Sequence, residues 1–284
     1  MKHLSSVICG IVLLISGEAT FAADGKSDPM IIHPGEVRFL KIHSEVKNAK
    51  LFCRNQEVRA YNDGKNEYVA YISESYFSEL KPFECLLKDG EKELEKVSFK
   101  VEAKQYQIET LKVPPRLVKL SAKDQIRVDA ETKMLKELYE NSNAKPYFTE
   151  VFKQPLKSVI TSPYGIKRVF NGDTNGQHLG YDFRAGIGKK ISVSNTGKVV
   201  FAGELFRSGN IVIVDHGLGI FTQYHHLSKI LVKKDQEVKQ GQIIALAGNT
   251  GRVSGPHLHW GVNVQGEAVD GFSLVQASES EFTH

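Results

Sequence analysis

The sequence predicts a mainly β protein: an N-terminal β-sandwich-like unit, a linker carrying one amphipathic helix, and a C-terminal all-β unit. Three observations carry this. From Met30 to about Val113, short runs rich in β-branched and aromatic residues alternate with turn signals. Between residues 114 and 150 the apolar residues take helical spacing. After Val151, glycine-punctuated β patterns return.

Residues 1–22 read as a signal peptide and are set apart from the fold. Met1-Lys2-His3 is a basic start, Val7 to Ile15 an apolar core, and Thr20-Phe21-Ala22 places small residues at −3 and −1, so cleavage is expected after Ala22. The apolar core is too short to persist as a membrane span. Cys9 lies inside it, away from any lipid-attachment position. Export is therefore expected, with the periplasm favoured over the extracellular space. Removing Lys2 and Glu18 leaves the formal charge of +4 unchanged. Such a mild excess is compatible with an anionic envelope polymer, while export and the lack of any nucleic-acid motif exclude nucleic acid as a partner.

The first unit is expected over residues 24–113, with strands around Val37 and Phe39 and at 49–52, 68–72 and 97–101, and turns at Asn62-Asp63-Gly64 and Asp89-Gly90. Cys53 and Cys85 each sit in an apolar run, as for a bridge across a small sandwich of immunoglobulin type in an oxidising compartment. Nothing polar gathers here, and His33 and His43 are read as structural. Pro114-Pro115 opens the linker at 114–150. Ser121 is placed to cap a helix, with Asp124 three residues on. Ile126, Ala130, Met134 and Leu138, with Leu135 beside them, form its apolar stripe, and Arg127, Glu131, Lys133 and Glu137 its opposite face.

The last unit is expected over 151–284, with strands at 198–201, 210–214, 221–225, 242–247 and 257–264 and no helix of useful length. Here lie six of the ten histidines, within residues 178–259. In Gly255-Pro256-His257-Leu258-His259-Trp260 the two histidines face one side of a strand, about 6.5–7 Å apart. His178 and Asp182 would stand about 13 Å apart in an extended chain, so the chain must bend between them, and Gly180 permits the bend. With His259 they make two imidazoles and one carboxylate, a set suited to one zinc ion with a fourth position left for water. In Tyr224-His225-His226-Leu227 the two histidines face opposite ways on a regular strand, so one of them joins the site easily, and periodicity does not choose which. His216 reads as a turn residue with a structural role.

His178-x-Gly-x-Asp182, Tyr224-x-His226-Leu and Gly-Pro-His257-Leu-His259-Trp together resemble the lysostaphin-type zinc metallopeptidases, whose catalytic unit is the LytM domain. The resemblance spans about residues 162–275 and includes Thr161-Ser162-Pro163-Tyr164-Gly165, Gly209-Asn210 and Gly248-Asn249-Thr250-Gly251-Arg252. It implies that His178, Asp182 and His259 bind zinc and that His226 and His257 are the non-ligand catalytic histidines. It also implies peptidoglycan as substrate, cut in its stems or cross-links: a D,D-endopeptidase with carboxypeptidase activity as a second expectation, glycyl cross-bridges being the other substrate of the family. His225 stands where the family usually has a small residue, and Asp270-Gly271 where Asp-Pro is common. No His-Glu-x-x-His helix is present, so no glutamate base of that kind is expected.

Two other readings compete: a non-enzymatic activator or wall-binding scaffold, and a lipoyl-type carrier suggested by residues 232–241. Regulatory LytM proteins usually lack several of the five site residues, which are all present here, and no acceptor lysine in a carrier-type hairpin is evident. A further expectation is that the N-terminal region covers part of the groove or sets access to it.

Overall fold

The structure of the protein, a computed structural model, describes residues 28–111, 120–170, 172 and 174–282. The signal-peptide reading at 1–22 and the paired prolines at 114–115 lie outside the described residues.

The N-terminal region holds β1 (Met30–Ile32), β2 (Val37–His43), β3 (Lys50–Cys53), β4 (Gln56–Val58), β5 (Ala60–Asn62), β6 (Glu67–Ser73), β7 (Phe83–Asp89) and β8 (Lys92–Val101). One sheet runs β1-β8-β7-β3-β4 and a second β2-β6-β5. Their inner faces share one core, in which Leu40, Ile42, Ala70 and Ile72 of the second sheet meet Leu51, Phe83, Leu87 and Phe99 of the first. The alternating burial along β2 and β7 is what a half-covered antiparallel strand produces. Cys53 and Cys85 are joined as a disulfide, but as register partners on the neighbouring strands β3 and β7, so the bridge lies within one sheet and not across the sandwich as expected.

The chain continues through β9 (Ile108–Leu111) to helix α1 (Ala122–Glu140). Ser121 caps α1 as its sequence predicts, its Oγ accepting from the Asp124 backbone N–H at 3.1 Å. The expected apolar stripe holds only in the second half. Met134, Leu135, Leu138 and Tyr139 pack on a core of Leu205, Ile211, Ile213 and Phe221, whereas Ile126 is 72 % exposed and Ala130 is also exposed. Glu131, assigned to the solvent face, turns inward, and its carboxylate accepts from the Phe206 backbone N–H at 2.9 Å. In the first turns the covered position is Val128, which lies off the expected stripe and is buried, while Ile126 and Ala130 are left to solvent.

The C-terminal strands are β10 (Ile160–Ser162), β11 (Lys167–Phe170), β12 (Thr174–Gln177), β13 (Tyr181–Arg184), β14 (Lys190–Ser192) and β15 (Gly197–Leu205). They continue with β16 (Gly209–Asp215), β17 (Ile220–Ile230), β18 (Glu237–Val238), β19 (Ile243–Ala247), β20 (His257–Val264) and β21 (Glu267–Val269). A large sheet runs β10-β13-β20-β17-β16-β15-β18, with β14, β19 and β21 joined at its sides. A smaller sheet, β12-β11-β9, brings the N-terminal region's last strand alongside the hairpin that leads to His178.

The expectation of no C-terminal helix is corrected by α2 (Gly271–Phe282). Its buried face is made of small residues, Gly271, Ser273, Ala277 and Ser278 around Leu274, which hydropathy does not flag. Ser273 Oγ accepts from the Val37 backbone N–H and Ser278 Oγ from that of Phe152. At Gly271 a Cβ would come within 2.6 Å of the Trp260 ring, so glycine after Asp270 lets the helix start against that indole. Asp270 Oδ1 accepts from the Phe272 N–H and from Tyr181 Oη.

Residues 142–152 run along the large sheet. Asp215 accepts from Ser142 Oγ and the Asn143 N–H, the Tyr147 N–H donates to the His216 carbonyl, and Phe148 and Phe152 are buried. His216 is structural, as read from sequence: fully buried, with Nδ1 bonded to the Thr196 carbonyl and Nε2 to Thr222 Oγ1. Val37, Val69 and Tyr71 belong to the same core as Phe152, Phe183, Trp260 and Leu274, so the two regions share apolar packing. No helix among the described residues is long and apolar enough to cross a membrane.

The disulfide closes a loop of 32 residues. Replacing both cysteines by alanine should lower stability by about 3–4 kcal/mol, read as a fall in the urea midpoint, because the unfolded chain loses that constraint.

Candidate metal centre

Strand register aligns the site. On β13 and β20, Asp182 pairs directly with His259, and on β17 and β20, His225 pairs directly with His259. His257, two residues before His259, projects from the same face. His178 arrives from outside the large sheet, at the end of the β11–β12 hairpin, with its backbone N–H on the Ile166 carbonyl and its carbonyl accepting from the Gly165 N–H. The bend between His178 and Asp182 expected from Gly180 is present. The glycine is required for a further reason: a Cβ there would lie 2.6 Å from the His259 imidazole.

His178, Asp182 and His259 place one ligand-capable atom each within 4.8 Å of one another. His178 Nε2 is 2.9 Å from Asp182 Oδ1, His259 Nδ1 is 2.8 Å from the same oxygen, and the two nitrogens are 3.0 Å apart. His178 Nδ1 donates to the Pro163 carbonyl at 2.9 Å, with Ser162 Oγ at 3.1 Å. That bond puts the proton of a neutral imidazole on Nδ1 and turns the Nε2 lone pair toward a carboxylate oxygen. Lone pairs converging in this way repel unless a cation lies between them, so the donor set fits a metal of the zinc type. Burial works against the Asp182 carboxylate, but the His178 and His259 imidazoles around it outweigh that and hold its pKa below the usual carboxylate range. Burial lowers the pKa of His259, with Asp182 opposing.

The strand argument that His225 and His226 must face opposite ways fails here. Asn210 pairs with Leu227 and Val212 with Tyr224, so His225 and His226 together oppose one residue, Ile211. This is a β-bulge, and His226 sits in it at φ +61°. The bulge brings both rings to the site: His226 lies 4.8 Å from the His257 ring and His225 lies 4.7 Å from the His259 ring. His226 Nδ1 bonds to the Thr250 carbonyl at 3.0 Å, and His257 Nδ1 to the Gly255 carbonyl at 2.9 Å. Burial, with His259 and His257 nearby, pushes the His226 pKa down to about 3, so this imidazole is neutral near pH 7. His257 is one-fifth exposed at the rim, with Nε2 3.6 Å from Asp182 Oδ1.

Residues 176–271 match Peptidase family M23. The match is to this stretch of the C-terminal region. The peptidoglycan DD-endopeptidase ShyA of Vibrio cholerae is 50 % identical over 93 residues, which are 33 % of this chain and 22 % of ShyA. The DD-carboxypeptidase/endopeptidase Mpg of Neisseria meningitidis is 33 % identical over 130 residues, covering 43 % of this chain and 30 % of Mpg. The chain thus spans less than a third of the length of either relative. A crystal structure of a candidate M23 peptidase from Pseudomonas aeruginosa superposes with TM-score 0.69 at 25 % identity, covering 88 % of this chain and 96 % of that one. That likeness therefore extends beyond the M23 segment into the N-terminal region.

Within the M23 region all five residues singled out from sequence come together, three as the converging donors and two as imidazoles beside them. Sequence reasoning missed Arg168. Its Nη2 donates to Ser162 Oγ at 2.8 Å and lies 3.5 Å from Asp182 Oδ2, while its Nε lies 3.5 Å from Glu109 Oε2 of β9. No pattern around Arg168 marks it, since its contacts with Ser162, Asp182 and Glu109 follow no local periodicity. It missed Thr250 as well, whose Oγ1 accepts from the Asn210 N–H and donates to the Leu227 carbonyl, pinning both edges of the bulge.

Gly180→Ala should displace the His259 ring and weaken zinc uptake roughly tenfold or more, measured by competition with a chromophoric chelator. A normal circular dichroism spectrum of the variant would show that the fold is kept.

Proposed function

We propose that the protein is an exported zinc metallopeptidase that hydrolyses peptide bonds in peptidoglycan, with D,D cross-links as the principal target and carboxypeptidase activity on stem peptides as a second. The observation that carries this is the arrangement of five side chains: three donors converging on one point, and two imidazoles whose Nδ1 atoms are tied to backbone carbonyls. The names of ShyA and Mpg support the substrate and both activities. An envelope polymer as substrate, together with the leader-like N-terminus, supports the periplasm as the location.

In this reading His178, Asp182 and His259 hold one zinc ion per chain. Zinc in such a site supplies Lewis acidity and lowers the pKa of a bound water toward neutrality. His226 and His257 handle protons. With Nδ1 held on the Thr250 and Gly255 carbonyls, the neutral ring of each presents Nε2 as the atom that takes a proton and returns it to the leaving amine.

The direct test is digestion of purified cross-linked peptidoglycan by the zinc-loaded protein, with fragments analysed by mass spectrometry. Cross-linked dimers should disappear with the wild type. His257→Ala should slow this about 10²–10⁴-fold while retaining zinc. If the wild type and the Glu109→Lys variant described below both leave dimers intact, the activator or scaffold reading replaces the enzyme.

The N-terminal region is proposed to set access or activity. β9 pairs in parallel with β11 from Ile108 to Leu111, and Glu109 faces Arg168 beside the donors. Because the two regions share a core, a point variant tests this better than truncation. Glu109→Lys sets two cations against each other and should raise hydrolysis of polymeric peptidoglycan relative to soluble stem peptides. An unchanged ratio would remove the regulatory reading.

A further inference from the structure

His225 is the one imidazole at the site that the reading above leaves without a task. Resting on the assignment of His178, Asp182 and His259 as ligands, we propose that His225 is a positioning residue whose ring braces His259 so that Nδ1 stays aimed at the metal position.

His259 is confined on each side by something different. Across β20–β13 its register partner is Asp182, bonded to its Nδ1 at 2.8 Å. The His178 ring stands 5.0 Å from it, edge-on at 61°. Close above its Cε1 and Nε2 is Gly180, where even a methyl group would collide. The remaining flank, across β20–β17, is filled by His225, its register partner there, with ring centroids 4.7 Å apart and planes at 78°. Edge-to-face packing at this separation is the preferred arrangement of two rings, and it opposes the χ2 rotation that would carry Nδ1 off the converging point.

The chemistry of His225 argues for shape over hydrogen bonding. Its Nε2 is buried without a hydrogen-bond partner, and the space beside that atom is the bare backbone of Gly261, where an added Cβ would lie 3.6 Å away. Among the described residues Nε2 thus makes no hydrogen bond that would fix the ring, and the contact that places it against His259 is packing. The converging donor atoms come from His178, Asp182 and His259, and His225 is outside that set. What His225 gives the site is the flat side of a ring, and a hydrocarbon ring of similar outline can give the same.

The test is the zinc dissociation constant of the full-length protein, measured by chelator competition for the wild type, His225→Ala and His225→Phe, alongside thermal unfolding of the metal-free forms. His225→Ala should weaken zinc about 10–100-fold, as loss of a residue that orients a ligand does. His225→Phe should stay within about threefold of the wild type and melt no lower, since it keeps the ring and removes an unpaired buried nitrogen. Unchanged affinity in His225→Ala would overturn the brace, and so would His225→Phe binding as weakly as His225→Ala, which would assign the role to a nitrogen. A wild type that takes up no zinc would overturn the ligand assignment, and the brace with it.

Discussion

The site depends on the register of three neighbouring strands. β13, β20 and β17 carry Asp182, His259 and His225 as successive lateral partners, and His257 follows two residues along on the same face. A slip of one residue between β13 and β20 would turn Asp182 to the opposite face and leave His259 without its carboxylate. The register is held by what lies beneath. Leu258, Trp260, Phe183 and Tyr224 are buried, and their alternation with the polar residues lets the pairing satisfy core and site together. The geometry of the site and the hydrophobic packing are thus two faces of one constraint.

Ideal strands would deliver only one of the two adjacent histidines on β17, and the molecule departs from ideality there. His226 adopts a left-handed conformation that disfavours a side-chain-bearing residue by about 1–2 kcal/mol. Bonds around it offset that cost: its N–H donates to the Ser208 carbonyl, its Nδ1 to Thr250, and Thr250 Oγ1 ties β16 to β17. These contacts need backbone against backbone. A Cβ on Gly209 would lie 2.3 Å from the Thr250 carbonyl carbon, and one on Gly251 would lie 2.3 Å from the Gly209 nitrogen. The two glycine-bearing motifs, far apart in sequence, are the two halves of one support under His226.

This shows why parts of the protein were legible from sequence and parts were not. His257-x-His259 was readable because period-two geometry is local, and its strand begins at His257 as expected. His178 and Asp182 were readable as chemistry and as a necessary bend, while the close approach that demands Gly180 is a tertiary fact. The bulge at His225-His226 was not readable, because nothing local says which residue of a strand will go unpaired. Helix α2 escaped because it buries serines and glycine, whose cover comes from backbone N–H groups of Val37 and Phe152. On α1, spacing identified the helix, and the cap was correct, but which apolar residue of its first turns is covered is a tertiary fact: Val128 is buried and Ile126 is not.

The N-terminal region enters the site by a route that follows from the same physics. The β11–β12 hairpin presents His178, yet two short strands make a poor foundation on their own. β9 supplies a third strand, and Glu109 on it engages Arg168, which reaches both Ser162, next to His178 Nδ1, and the second oxygen of Asp182. A displacement of β9 is therefore felt at two of the three proposed ligands through polar contacts alone. The apolar link is as direct, for Val37 and Tyr71 lie in one core with Phe152, Trp260 and Leu274. Whatever moves the N-terminal region must disturb packing under the sheet and charge beside the donors together. That coupling makes the region suited to control, since a modest shift of one strand would change the geometry of a site whose donor atoms lie only 2.8–3.0 Å apart.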